Sequence, residues 1–451
     1  MAGGSLKVCV AGWTGDRANW GCQATSHGLL EDLKEAAEGL DLQVLPATLL
    51  HRTSFQRRLG RLVSPVLLRA MADGRPGAAR IADRVVPRLY RPDALRAALG
   101  ADLVVQTAEG NLDGLTFDSS AGMLALAWRA RRRGQPAISL NQTLFLARDG
   151  LERAVAGAYR DFAFHTVREP RSVEYCSRIG LEAALVPDAA FRADPADEDW
   201  RRFVEPQPRA PLLIVTGSPL GTDVLRTGYT REAAEFAQRR GLQVCGAFWQ
   251  EKPRRIVSEI CREVGGLEPT FVRPGTDFRG LSAVLREAAL VVGGRYHTAL
   301  KSAVAGTPFV LLPSGTHKSE GLIEMLGYPL PVRGFEDLKG CDRTWRRCWT
   351  AGASCRSCCW PGPPRSASGG GRWCPCWPEP TASYRTWTKH EPGPNTAPCW
   401  MVGKEGLEPS PLARPEPKSG ASTSFATRPV AQHCTVRHRA GWRPSAVTSG
   451  R

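Results

Sequence analysis

The chain has 451 residues, room for two or three domains, and its net charge of +16 is unevenly spread: from Cys341 onward 16 Lys and Arg face 6 Asp and Glu, leaving +6 for the first 340 residues. That modest excess suits an enzyme handling phosphorylated or acidic substrates. With no zinc-finger spacing or RNA-recognition signature, it does not point to nucleic acid. Nine of the 14 cysteines also follow residue 340, and the other five (Cys9, Cys22, Cys176, Cys245, Cys261) are scattered, which suits reduced thiols rather than a disulfide framework. Met1–Gly12 lacks a charged start followed by a long apolar run, so no signal peptide is expected. No apolar run approaches the ~20 residues that span a bilayer. The expectation is a soluble cytoplasmic protein, with the inner face of the membrane as one place of work.

Short apolar runs alternate with helical stretches, the pattern of parallel sheets with crossover helices. Leu6–Ala11 predicts a strand, Gln23–Gly39 a helix and Leu42–Leu45 a second strand. His51–Arg91 stands apart: it is rich in Arg, with Leu59, Leu62, Val63, Val66 and Leu67 spaced for one apolar helical face. It reads either as an inserted helical arm with a solvated basic face or as a surface for anionic lipid or a lipid-linked acceptor. Strands follow at Asp102–Gln106, Ala137–Leu140, Phe162–Val167 and Leu185–Val186, with a helix through Met123–Arg132. Residues 1–190 thus form a first Rossmann-like domain, and the polar stretch Phe191–Arg209 is the expected linker.

A second series occupies residues 210–340. Strands are predicted at Leu212–Thr216, Leu242–Ala247, Thr270–Val272, Leu290–Gly293 and Pro308–Leu312. Helices are predicted at Arg231–Arg240, Arg255–Val264, Leu281–Ala288, Thr298–Ala305 and Ser319–Leu326. Two doubly wound halves would place ligands outside the carboxyl ends of their strands. From Cys341 the chain changes character: it has no Ile, two Leu (Leu407, Leu412) and eight of the 13 Trp. Too few aliphatic side chains are present to offset the entropy of folding, so the tail is expected to be non-globular. The abrupt change after Leu338 reads as a frame shift in a GC-rich gene, and Gly403–Pro429 reads like a mistranslated transfer-RNA gene.

The strongest chemical signal is Leu290–Leu326. A four-residue strand ends in Gly293-Gly294, and Arg295-Tyr296-His297 sits at the turn into a helix. A helix start offers unpaired N–H groups and a positive dipole end, and Arg295 adds a forked donor for phosphate or carboxylate. The next strand ends in a loop carrying His317-Lys318, with Glu320-Gly321 opening another helix. The bland alternative is an ordinary α/β turn with solvated charges. Asp188 reads equally as a loop anchor, Glu109 as a local cap, and His27 and His165 as structural.

Gly-x-Arg-x-His, a helix of small residues, Ala305-Gly306-x-Pro308 and Lys318-x-Glu320-Gly321-Leu322 resemble the C-terminal pattern of the polysaccharide pyruvyl transferase family. Other pieces resemble it in order: Ala11-Gly12 through Asn19–Ser26, Ala108-Glu109-Gly110, Val167–Pro170 with Ser172, and Val186–Phe191. The resemblance spans about Leu6 to Pro331. It departs where Gln106-Thr107-Ala108-Glu109 replaces a glycine-rich turn.

The resemblance implies two Rossmann-like domains facing a cleft, as in GT-B glycosyltransferases. It also implies transfer of the enolpyruvyl group of phosphoenolpyruvate to sugar hydroxyls, as a ketal, with phosphate release. Phosphoenolpyruvate and a sugar or lipid-linked glycan are then the partners, with membrane contact as a further reading, and no cofactor or metal is needed. Arg295 and Arg168 would meet anions and His297 would bind or transfer a proton. Lys318, Gly294, Glu320, Glu109 and Asn19 would line the substrate site. Two rivals stay open: a glycosyltransferase whose Glu320 binds a nucleotide ribose, and an inactive product of a damaged gene.

Overall fold

The computed structural model describes residues 6–36, 39–46, 91–107, 117–146, 151–160, 162–192 and 198–335, together with Arg80, Asp83, Arg84, Pro87 and Arg88. Glu109, most of His51–Arg91 and the tail from Cys341 lie outside the described residues.

Two separate sheets carry the fold. The first orders its strands β2-β1-β3-β4-β5-β6, all parallel. Its strands are β1 (Lys7–Trp13), β2 (Asp41–Pro46), β3 (Leu103–Thr107), β4 (Ala137–Gln142), β5 (Phe164–Val167) and β6 (Ala184–Leu185). Helices α1 (Trp20–Ala36), α2 (Pro92–Leu99), α3 (Phe117–Arg132), α4 (Leu151–Arg160) and α5 (Pro170–Arg178) belong to it.

The second sheet runs β12-β11-β8-β9-β10-β7. Its strands are β7 (Val204–Glu205), β8 (Leu212–Thr216), β9 (Gln243–Ala247), β10 (Thr270–Val272), β11 (Leu290–Gly293) and β12 (Phe309–Leu311). Helices α6 (Tyr229–Arg240), α7 (Glu251–Glu263), α8 (Phe278–Glu287), α9 (Tyr296–Val304) and α10 (Lys318–Leu326) connect them. Every residue of β8, β10, β11 and β12 is buried. Helices cover both faces, so such strands read as near-continuous apolar runs rather than alternating ones.

Strand order reverses between β8 and β11 in the second sheet and between β1 and β3 in the first. These are the two places where an open α/β sheet leaves a crevice for ligand. The halves dock through α1: Trp20 and Ala24 belong to a core cluster of the second half, together with Leu212, Val284 and Leu300. On its other side α1 packs Leu29 and Leu33 against Val8, Val10 and Val105 of the first sheet.

Two expectations change. The stretch Phe191–Arg209 is not all linker, because β7 within it pairs antiparallel with β10 at the edge of the second sheet. A two-residue strand has no periodicity to read, and Pro206 follows at an edge where a missing N–H is tolerated. Helices α2, α4 and α5 join the helices expected from periodicity. Prolines occupy the first turns of α2 and α5, where the lost N–H has no intrahelical partner to miss. From the basic segment, Asp83 pairs with the buried Arg129 of α3 at 3.3 Å.

His165 on β5 shows what burial does to a titratable group. It stacks on Tyr159 at 4.4 Å, Cys176 Sγ lies 3.9 Å from its Nε2, and its Nδ1 has no hydrogen-bond partner among the described residues. Burial pushes its pKa down to about 4. An unfolded chain would bind this proton from ~6.5 downward. Stability is therefore lost as pH falls between those values, by up to ~3 kcal/mol. Urea melts of His165→Gln should fall less steeply between pH 6.5 and 4.5 than those of the parent chain; parallel slopes would refute this.

Candidate active site

The site starts where β11 ends. Gly293 has φ +152°, and a Cβ there would lie 2.0 Å from Thr216 Oγ1, so only glycine lets β11 lie this close to β8. Gly294 donates its N–H to Gly217 O at 3.0 Å, which commits it to joining the two strand ends rather than to a ligand. Arg295 follows as the N-cap of α9. Its guanidinium lies over the Trp249 ring at 4.7 Å and has no carboxylate partner among the described residues. Burial lowers its pKa, with Tyr229 and then Cys22 opposing the shift. An arginine remains charged through such a shift. A half-buried cation at a topological switch point, without a carboxylate partner among the described residues, has the charge and the place to receive an anion.

His297, in the first turn of α9, points elsewhere. Its Nε2 lies 3.0 Å from Thr25 Oγ1 and 3.3 Å from Asp188 Oδ2. Thr25 gives its single hydroxyl proton to Asp188 Oδ1 at 3.1 Å, so it accepts from His297. Proton bookkeeping thus assigns the hydrogen to Nε2. Nδ1, the nitrogen left to exchange a proton, lies against Gly21 at the start of α1, where a Cβ would come within 2.1 Å of it. Gly21→Ala should therefore displace His297, and flexible side-chain tips cannot absorb the clash because the His297 Cβ is itself involved. Activity is expected to fall at least about tenfold, while overpacking destabilises by roughly 1–3 kcal/mol. Unchanged turnover in Gly21→Ala would remove His297 from the chemistry.

Asp188 is the acceptor at the centre. It is fully buried and takes Arg168 Nη1 at 2.7 Å and the Ala190 N–H at 2.9 Å. Burial alone would raise its pKa, but the Arg168 charge and then His297 outweigh it, holding the carboxyl well below the usual range. Asn141, the one described non-glycine residue with positive φ (+60°), holds the backbone that follows, its Oδ1 accepting from Ala189 N at 2.8 Å. Such strain is tolerated where the surroundings over-determine it. Arg168 also reaches Thr143 Oγ1 at 2.9 Å and Glu169 Oε2 at 3.7 Å, and it lies over Tyr296 at 4.9 Å.

A second histidine mirrors the first. His317 Nε2 lies 3.0 Å from Ser172 Oγ and 3.5 Å from the buried Glu169 Oε1. A Cβ at Gly321 would meet Glu169 Cγ at 2.7 Å, so α10 rests directly on Glu169. Each histidine of the second half thus docks on a buried carboxylate of the first, and Arg168 joins the two carboxylates.

The fold does not bring all the expected site residues together. Arg295 and His297 stand together at the start of α9, facing the start of α1. Arg168 is only 1% exposed and engaged on all sides, so it positions Asp188 instead of offering a free fork to a ligand. Asn19 caps α1, its Oδ1 accepting the Gly21 N–H at 3.0 Å, which answers the ligand reading with a local one. Lys318 opens α10 and is half-buried. Glu320, one turn on, has a buried Oε2 without a hydrogen-bond partner among the described residues. Glu109 lies outside the described residues. Glu169, His317, Thr25 and Trp249 join the site without having been expected. The Arg-Glu dipeptide and the His-Lys loop were the only signals for the first two.

Among the described residues no group of three or more His, Cys, Asp and Glu is placed to hold a metal ion. No described helix is long and apolar enough to cross a membrane. A family model described as polysaccharide pyruvyl transferase matches residues 42–316. No curated protein sequence matches the chain. Similar solved structures include a putative UDP-N-acetylglucosamine 2-epimerase from Listeria monocytogenes, at 12% identity and TM-score 0.48, covering 76% of this chain and 89% of that one. The Neisseria meningitidis UDP-GlcNAc 2-epimerase bound to UDP-GlcNAc is similar at 8% identity and TM-score 0.47, with 76% and 93% covered. A spinosyn rhamnosyltransferase complexed with thymidine diphosphate is similar at 13% identity and TM-score 0.42, with 77% and 94% covered.

Proposed function

The chain belongs to the polysaccharide pyruvyl transferase family, a transferase enzyme with a sugar acceptor, and from that premise we propose that its donor is phosphoenolpyruvate and its product a pyruvate ketal on a glycan. The observation that carries the reading is Arg295: a partly buried cation with no acid partner among the described residues, two positions from a histidine whose Nε2 is held by Thr25 and Asp188.

The methylene carbon of phosphoenolpyruvate gains a proton, and the adjacent carbon becomes electrophilic. One sugar hydroxyl adds to it and loses its proton. The C–O bond to phosphate breaks, phosphate leaves with a proton, and the second hydroxyl closes the ketal as it loses its own. Arg295 and the first N–H groups of α9 would hold the phosphate or carboxylate. His297 Nδ1, backed by Asp188 through Nε2, would deliver or accept a proton. Lys318 would add a further cation and Glu320 an acceptor-side contact, and no cofactor takes part. The acceptor is a sugar or lipid-linked glycan, with work at the inner face of the membrane as part of this reading.

The test is phosphate release from phosphoenolpyruvate over a panel of glycan acceptors, with the product analysed for the ketal. Stoichiometric phosphate and ketal are expected. Release of nucleoside diphosphate from a nucleotide sugar would replace this reading with glycosyl transfer. Inactivity with every donor would favour the product of a damaged gene.

A further inference from the structure

Arg295 meets a requirement that anion sites impose: its donor plane must be fixed without its charge being spent. A carboxylate would hold the fork but would also compete with the ligand. Here the plane is held by an aromatic face, Trp249 at 4.7 Å. Trp249 is itself braced: Trp20 meets it edge-on at 5.4 Å with planes at 88°, and Trp20 Nε1 donates to Thr276 O at 2.6 Å. The brace therefore crosses from α1 in the first half to the second. Gly217, Ser218, Thr222, Trp249, Gln250 and Arg295 line one cleft at the carboxyl ends of β8, β9 and β11.

We propose that Trp249 is the positioning residue of the donor site, presenting the Arg295 guanidinium to the phosphate or carboxylate of phosphoenolpyruvate, and that Trp20 makes this presentation depend on the docking of the two halves. The proposal rests on the phosphoenolpyruvate reading for its ligand, though its geometry asks only for a small oxyanion. The same helix supports both reacting groups, because Trp20 braces the ring behind Arg295 while its neighbour Gly21 lies against His297.

The experiment is equilibrium binding of phosphoenolpyruvate, and separately of inorganic phosphate, to the full chain and to Trp249→Leu, Trp249→Phe, Arg295→Met and the Trp249→Leu/Arg295→Met double variant, with a melting curve for each. A cation–π contact of ordinary strength corresponds to about a 3- to 30-fold weakening in Trp249→Leu. Trp249→Phe keeps a π face and should recover most of that loss. In the Arg295→Met background Trp249→Leu should cost nothing more, since Trp249 acts through Arg295. An equal loss in that background would overturn the proposal, because Trp249 would then touch the ligand itself or act on folding alone. Unchanged affinity in Trp249→Leu would overturn it too. If inorganic phosphate binds with this pattern and phosphoenolpyruvate does not, the positioning role stands and the donor reading falls. If neither anion binds, both fall.

Discussion

His297→Ala is expected to lower phosphate release from phosphoenolpyruvate by about 10²–10⁴, the range of a lost general acid–base group, with the chain still folded. The imidazole side chain is 21% exposed and sits at a seam rather than inside a core. Its loss removes one acceptor's donor and little packing. The effect should appear in turnover, because Nδ1 is the nitrogen free for proton transfer while Thr25 and Asp188 hold Nε2. A variant with normal turnover and a raised KM for phosphoenolpyruvate would make His297 a binding group only. Arg295→Lys provides the contrast: it keeps the charge and loses the planar fork. One charge-assisted hydrogen bond is worth roughly 1.5–3 kcal/mol, so about 10- to 150-fold is expected.

Asp188→Ala should be the most destabilising single change in the site, at about 3–5 kcal/mol, because it leaves Arg168 buried without its closest partner. Arg168 and Asp188 side chains are 1% and 0% exposed, so water cannot take over the lost contact. Arg168→Met should cost a similar amount, since it strands two carboxylates, Asp188 and Glu169. Removing both partners in Arg168→Met/Asp188→Leu should cost less than the sum of the two single changes. Denaturant melts of the four chains read this directly, and strict additivity would show that the pair is not coupled. The pH sign follows from the depressed pKa of Asp188. Its contribution is fully present above the unfolded carboxyl value of ~3.9 and is lost only as pH falls through the lower folded value. Asp188→Asn should remove that acid-limb contribution while keeping the shape.

The two α/β series were legible because a parallel strand covered on both faces must be largely apolar, as β8, β11 and β12 are. Arg295 and His297 were legible for the same local reason: strand, glycine pair, cation and helix start follow one another directly, so their meeting needs no long-range contact. Asn19 and Arg168 carried the right residue types, but their partners were not readable. The amide of Asn19 serves its own helix and the fork of Arg168 serves Asp188. What the amino-acid order determined by itself was therefore the strand–helix alternation, the family pattern and the residues at one turn. Tertiary structure alone decided the rest: that Thr25 and His297, 272 positions apart, share a proton network, that Ser172 and His317, 145 apart, dock α10, and that Trp249 lies over an arginine without an acid partner among the described residues. The physical reason is that burial, and the identity of the partner in a desolvated contact, belong to the packed halves and not to any window of the chain.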